Sequence, residues 1–224
     1  LEVIHIGLLD SLWYSTYTQY TWTYKQLCQN RTTLREVYIG GMTFGNSYAN
    51  LAYMFNGCSN LTTVNMSTVD TSLNNSIAYM FYNCTSLHTV VINEGVETIK
   101  SQAFYYCTAL ENLSLPTTLK TISNSAFASC RSLVNVKFMK NLGKGYTQKS
   151  NNSYNTKLTF ANCNNLTHES LMSVINNLYD LNLTYDVANG GTLYTQQFEI
   201  GSTNKAKLTA EEIIEKDLKV MDQT

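Results

Sequence analysis

The chain has 224 residues, enough for one sizeable core or one repeat array. Charged residues are only 14 % and the formal net charge is −1, against roughly 25 % charged in ordinary soluble domains, so no basic face points to nucleic acid or a membrane surface. No apolar run approaches the ~20 residues of a membrane span, and "LEVIHIGLLDS" lacks the basic and long apolar regions of a signal peptide.

The first element is "LEVIHI", where Leu1, Ile4 and Ile6 have the spacing of a short strand with one buried face. Leu1 is not expected to be a natural start; earlier repeats would precede it. An insertion follows, "SLWYSTYTQYTWTYKQ", in which Tyr20, Trp22 and Tyr24 alternate with Thr and line one face of a strand. Such a face suits stacking on a sugar or a protein; cover for a flank of the core is the plainer reading. Cys28 comes next, and "LREVYI" supplies Leu34, Val37 and Ile39 after what reads as a few inserted residues.

From there a unit F-x-x-C-x-x-L-x-x-φ-x-φ recurs, with φ apolar. Its copies are Phe55, Cys58, Leu61, Val64, Met66; then Phe81, Cys84, Leu87, Val90, Ile92; then Phe104, Cys107, Leu110, Leu113, Leu115; then Phe127, Cys130, Leu133, Val136, Phe138. A fifth starts at Phe160, Cys163 and Leu166. Counting from Leu1, successive leucines lie 33, 27, 26, 23, 23 and 33 residues apart, the range of leucine-rich repeats with two insertions. The last two apolar positions share a strand face by the period of two. One coil cannot bury that face alone, so coils must stack. The F-x-x-C-x-x-L part is expected to return the chain as a helical turn. Val96/Ile99 and Leu119/Ile122 predict a second short strand in their coils.

The second insertion carries Lys140, Lys144, Lys149 and Lys157 with no acidic residue, and Arg131 and Lys137 precede it. It reads as a solvated loop, with an anionic glycan or polymer as the sharper alternative. "GKG" at 143–145 lacks phosphate-loop spacing and reads as a turn. Beyond Leu166, Leu171, Val174, Ile175 and Leu178 give an amphipathic helix. "NGG" at 189–191 is a turn, and "TLYTQQFEI" a strand. Thr209 and Glu212 form a capping box, with Leu208 and Ile213 as its staple.

Five cysteines, Cys58, Cys84, Cys107, Cys130 and Cys163, hold one repeat position. Buried free thiols are the favoured reading. A disulfide stays open, since stacked coils bring Cα atoms to about 5 Å. No C-x-x-C occurs, and His5, His88 and His168 fall in different coils, so no metal site is expected. Nucleophile, zinc-protease and phosphate-loop motifs are absent and no carboxylate pair stands out, so neither catalysis nor a cofactor is expected. Tripeptides N-x-S/T at Asn60, Asn65, Asn83 and Asn112 follow from the Asn/Thr-rich repeat and need no glycosylation.

The outward strand positions form two columns and are the candidate binding face. One is His5, Tyr38, Asn65, Val91, Ser114 and Lys137. The other is Val3, Glu36, Thr63, Thr89, Asn112 and Asn135. Both are uncharged in the middle, which suits an adaptable contact surface and equally suits solubility.

The "AF-x-x-C-x-x-L" coils, and the longer ones with "AYMF" and "STVDTS", resemble the BspA-type leucine-rich repeat of surface proteins from oral and gut anaerobes and some parasitic protists. The variety is similar to that of Treponema pallidum. The resemblance implies an α/β repeat, a right-handed leucine-rich-repeat solenoid with short parallel strands over 1–166, closed by a C-terminal helix–hairpin–helix cap over 167–224. It also implies a non-catalytic cell-surface or secreted recognition and adhesion module for a protein or extracellular-matrix ligand, without nucleic acid or membrane insertion. The alternatives are a carbohydrate-binding module using Tyr20, Trp22 and Tyr24, and a structural spacer between other domains.

Overall fold

The computed structural model describes residues 2–6, 28–39, 51–66, 76–92, 94–119, 121–123, 125–137, 158–160, 162–177, 197–199, 201–215 and 219–220. Strands are numbered along the chain. The main sheet is parallel, in the order β1 (Val3–Ile6), β2 (Glu36–Ile39), β3 (Thr63–Asn65), β5 (Thr89–Val91), β7 (Asn112–Ser114), β9 (Asn135–Lys137). Each coil contributes one strand, because the L-x-x-φ-x-φ spacing leaves room for only three or four extended residues per turn. Val37 pairs with Val64 and Val64 with Val90 in register, as Leu113 does with Val136. All five are buried.

A second parallel sheet contains β4 (Ser76–Ile77), β6 (Thr98–Ile99) and β8 (Thr121–Ile122). It includes the two strands expected from Val96/Ile99 and Leu119/Ile122 and adds one in the preceding coil. Ile77, Val96, Ile99, Leu119 and Ile122 are buried beneath it.

The F-x-x-C-x-x-L stretch is not a helical turn. It is a run of tight turns whose backbone donors alternate between two destinations. In one coil Met54, Asn56 and Cys58 donate to the carbonyl three residues back, while Tyr53, Phe55 and Gly57 donate to Ala78, Met80 and Tyr82 of the next coil at 2.8–3.2 Å. The coils at Tyr79–Cys84 and Gln102–Cys107 show the same alternation. Turning every second N–H outward requires left-handed backbone two residues before and two after Phe. Tyr53 and Gly57, Tyr79 and Asn83, Gln102 and Tyr106, and Ser125 and Ser129 all have φ between 51° and 74°. Such a conformation costs a non-glycine residue roughly 1–2 kcal/mol, here offset by hydrogen bonds that satisfy a buried backbone. At Gly57 a side chain has no room, because Asn30 Oδ1 occupies the place of its Cβ.

Inside the coils the phenylalanines form a continuous stack. Centroid separations are 5.7 Å for Phe55–Phe81, 5.1 Å for Phe81–Phe104, 5.2 Å for Phe104–Phe127 and 5.6 Å for Phe127–Phe160. All five rings are fully buried.

Each ladder cysteine turns its thiol onto the carbonyl of the previous coil's Phe position: Cys84 Sγ to Phe55 O and Cys107 Sγ to Phe81 O, both 3.1 Å, then Cys130 Sγ to Phe104 O and Cys163 Sγ to Phe127 O. A small apolar side chain with a weak donor fits this slot. Cys58 Sγ donates in the same way to Cys28 O at 2.9 Å, so Cys28 occupies the Phe position and Arg31 the Cys position. The first turn is therefore complete, and the few inserted residues expected after Cys28 do not exist. All six cysteines are free and buried.

At the C-terminal end α1 (His168–Asn177) buries Leu171, Val174 and Ile175. Thr167 caps it, its Oγ1 accepting the Ser170 N–H at 3.1 Å. Ser170 Oγ donates to Val134 O and accepts Val136 N–H, both at 2.9 Å, so a helix side chain partners the edge of β9. β10 (Leu158–Thr159), β11 (Gln197–Glu199) and β12 (Lys219–Val220) make a third parallel sheet. The partners of β11 are thus parallel, where the sequence suggested a hairpin. Helix α2 (Gly201–Lys205) was not anticipated. Helix α3 (Ala210–Glu215) starts at the expected capping box: Glu212 N–H donates to Thr209 Oγ1 at 3.2 Å and Thr209 N–H to Glu212 Oε2 at 2.7 Å. Buried Asn204 donates to Cys163 O at 2.9 Å, and Lys207 Nζ reaches Asn164 O and Leu166 O. Phe138, the lysine insertion, Leu178, "NGG" and the Ile213 side chain lie outside the described residues.

Candidate functional site

The main sheet sets its outward positions in the two columns expected from the strand period. Val3 lies beside Glu36, Glu36 beside Thr63, Thr63 beside Thr89, and Asn112 beside Asn135. In the other column His5 lies beside Tyr38, Tyr38 beside Asn65, Asn65 beside Val91, Val91 beside Ser114, and Ser114 beside Lys137. Thr89, Val91, Asn112, Ser114, Asn135 and Lys137 are exposed, and Glu36, Thr63 and Asn65 half-buried. Val3, Tyr38 and Val91 are 41, 39 and 42 % exposed, so this face carries apolar as well as polar side chains.

One side-chain bond joins neighbouring coils on this face, and another lies within β2. Asn135 Nδ2 donates to Asn112 Oδ1 at 2.7 Å, and the Tyr38 hydroxyl donates to Glu36 Oε2 at 3.1 Å, which raises the Tyr38 phenol pKa.

Burial disfavours the thiolate form at five of the six cysteines. Burial pushes Cys58 up to about 11 and raises Cys28, Cys84, Cys107 and Cys130 as well. A thiol so raised holds its proton at neutral pH, and the thiolate is the nucleophile. Among the described residues no group of three or more His, Cys, Asp or Glu could hold a metal ion. No helix among them is long and apolar enough to cross a membrane. The aromatic patch Tyr20, Trp22, Tyr24 lies outside the described residues.

Sequence reasoning missed a second aromatic feature, on the turn side of the coils. Tyr53 stacks on Tyr79 at 4.7 Å and 5°, and Tyr82 on Tyr105 at 5.3 Å and 10°. Tyr79 meets Tyr82 at 6.3 Å, Tyr105 meets Tyr106 at 5.9 Å, and the Arg131 guanidinium lies over the Tyr106 ring at 5.7 Å. The signal was present in "AYMF", "FYNC" and "FYYC", where tyrosines recur beside the fixed Phe.

A family model described as the BspA type leucine rich repeat region, in six copies, matches residues 42–167. Among solved structures the chain is similar to a Treponema pallidum leucine-rich-repeat protein, with 17 % identity over 74 % of this chain and 57 % of that one, at a TM-score of 0.40. A leucine-rich-repeat protein from Eubacterium ventriosum is 24 % identical over 55 % of this chain and 35 % of that one, at a TM-score of 0.39. One from Bacteroides ovatus is 18 % identical over 90 % of this chain and 38 % of that one, at a TM-score of 0.42. The chain spans between 35 and 57 % of the length of these three proteins. No curated protein matches it. With more than half of its residues under the family model and a parallel strand contributed by every coil, the chain belongs to the BspA-type leucine-rich-repeat family.

Proposed function

We propose that the chain is a non-catalytic recognition and adhesion module, displayed at a cell surface or outside the cell, that binds a protein or extracellular-matrix partner through the outward face of the main sheet. The pair of columns across six strands carries this reading. Exposed Val91 sits between Asn65 and Ser114, and exposed Tyr38 lies beside Asn65 and bonds Glu36, so one surface offers apolar contact and adaptable hydrogen bonding. From Thr63 to Asn135 neither column holds a charge, which lowers the desolvation cost of covering the face. The high thiol pKa values support a role without covalent chemistry.

The same reading takes residues 1–166 as a right-handed solenoid and 167–224 as the segment that closes it. An open end of stacked coils leaves strand donors and core atoms exposed. The bonds of Ser170 to the β9 backbone and of Asn204 and Lys207 to carbonyls of the last turn support that closing role.

The experiment is biolayer interferometry against immobilised extracellular-matrix proteins. Val91 and Ser114 are neighbours in register. The double variant Val91→Arg/Ser114→Arg should weaken binding about tenfold or more, as lost central contacts do, with the melting temperature unchanged. Wild-type protein that binds none of the panel, or a double variant that binds undiminished, overturns the reading.

A further inference from the structure

We propose that the turn side of the coils carries a second binding site, a tyrosine row ending in an Arg131 recess, that takes an extended acidic polysaccharide bearing uronic-acid carboxylates.

The row is continuous. Tyr53, Tyr79, Tyr82, Tyr105 and Tyr106 touch in sequence, and Arg131 lies over the last ring. Beyond it an open recess is lined by Arg131, Asn162, Asn164 and Asn165. The strip crosses four coil steps, about 20 Å at the ~4.8 Å spacing of paired strands. That is a shape for a linear polymer rather than a compact ligand.

The chemistry selects the polymer. Tyr53 stacks on Tyr79 and Tyr82 on Tyr105, which covers one face of each of these half-buried rings and leaves their edges and phenol hydroxyls for contact. Ring edges are electropositive and hydroxyls donate, so the row favours an acceptor-rich partner. Arg131 is exposed and forms no salt bridge with a described carboxylate. Its contact with Tyr106 restrains the planar donor fork that recognises carboxylates in pairs. A carboxamide both donates and accepts, as ring hydroxyls require; Asn162, Asn164 and Asn165 are exposed at the recess, where Asn165 Nδ2 already donates to Arg131 O at 3.0 Å. Lys207 stands nearby with its Nζ donating to Asn164 O, Leu166 O and Asn204 Oδ1, so it adds positive field to the recess and no direct bond to a ligand. Carboxylate for the guanidinium and hydroxyls for the carboxamides meet in a uronic-acid chain.

The test is titration calorimetry of the full chain with polygalacturonate, with neutral dextran and poly-glutamate as comparison polymers. Polygalacturonate should bind, more weakly as salt rises. Arg131→Gln should weaken it about tenfold or more, Arg131→Lys should fall between because charge without the fork is retained, and Tyr106→Leu should weaken it by freeing the guanidinium. The sheet-face variant Val91→Arg/Ser114→Arg should bind as wild type does, which separates this site from the one above. Each variant's circular dichroism and melting temperature certify its fold. No binding of polygalacturonate, equal affinity for dextran, equal or tighter affinity for poly-glutamate, or an Arg131→Gln variant with unchanged affinity would each overturn the proposal.

Discussion

Replacing Phe104 by Ala tests the stack that holds the coils together. Phe104 is fully buried, with Phe81 at 5.1 Å on one side and Phe127 at 5.2 Å on the other. Removing a buried phenyl costs about 3–5 kcal/mol in lost transfer energy and cavity. Two ring contacts of ~0.5–1.5 kcal/mol each vanish with it, which puts this site at the upper end, about 5 kcal/mol. Phe55 is the built-in comparison. It has Phe81 on one side, while Cys28 fills the aromatic position on the other. Phe55→Ala should therefore cost about 1 kcal/mol less. Urea unfolding followed by far-ultraviolet circular dichroism and tyrosine fluorescence measures both. With a slope of about 2 kcal/mol per molar urea, Phe104→Ala should lower the midpoint by roughly 2.5 M. Coincident transitions from the two probes show that unfolding stays cooperative, which matters because repeat arrays can unfold in sections. A midpoint shift below about 0.5 M, or a larger loss from Phe55→Ala, would refute the continuous-stack reasoning.

Gly57→Ala should destabilise by about 1–2 kcal/mol, since φ is 74° and Asn30 fills the space of the new methyl; Gly57→Ala/Asn30→Ala should recover part of that loss in thermal melts. Ser170→Ala should cost about 1–3 kcal/mol, because the buried Val136 N–H loses its acceptor, and denaturant unfolding measures it. Acid should also weaken the fold. The backbone N–H and then the hydroxyl of Thr117 hold Glu94 below the ordinary carboxylate value, and the Thr209 N–H, with His168 as a lesser partner, does so for Glu212. Groups depressed in the folded state contribute stability that is present above the unfolded value of roughly 4.3 and is lost as pH falls through the folded value. Melting temperature should thus decline below about pH 4.3, and less steeply in Glu94→Gln/Glu212→Gln; an identical profile in that variant contradicts the assignment.

The fold was legible where one residue type serves one packing role. Phe, Cys and Leu recur at fixed spacing because each fills a slot in a stack, and the strand columns follow from a period of two. Where type and role part company the reading failed. Cys28 was matched by its identity, yet its six-residue distance to Leu34 equals that from Phe55 to Leu61, so spacing placed it correctly and type did not. The alternating turn ladder left little local trace. Asn and Gly announce left-handed backbone at Asn30, Gly57, Asn83 and Asn162, but Tyr53 and Tyr79 adopt it because the next coil supplies carbonyls to bond, and Gln102 and Ser125 adopt it at the same repeat position. The sheet of β10, β11 and β12 joins segments far apart in the chain, a pairing no local pattern encodes. On the candidate site, the sheet-face columns could be written down from the repeat. The tyrosine row left only a partial trace: tyrosines recur beside the fixed Phe, but at three different offsets, and they meet only when coils stack.

The cysteine of the repeat decides between a chain that does chemistry at its fixed residues and one that builds a surface with them. Thiol titration with a chromogenic disulfide reagent, without reductant, distinguishes the two. The ladder of thiols bonded to Phe-position carbonyls predicts almost no reaction in the native protein and all six thiols on unfolding. Rapid labelling of the native protein, or an unfolded count short by pairs, would contradict it.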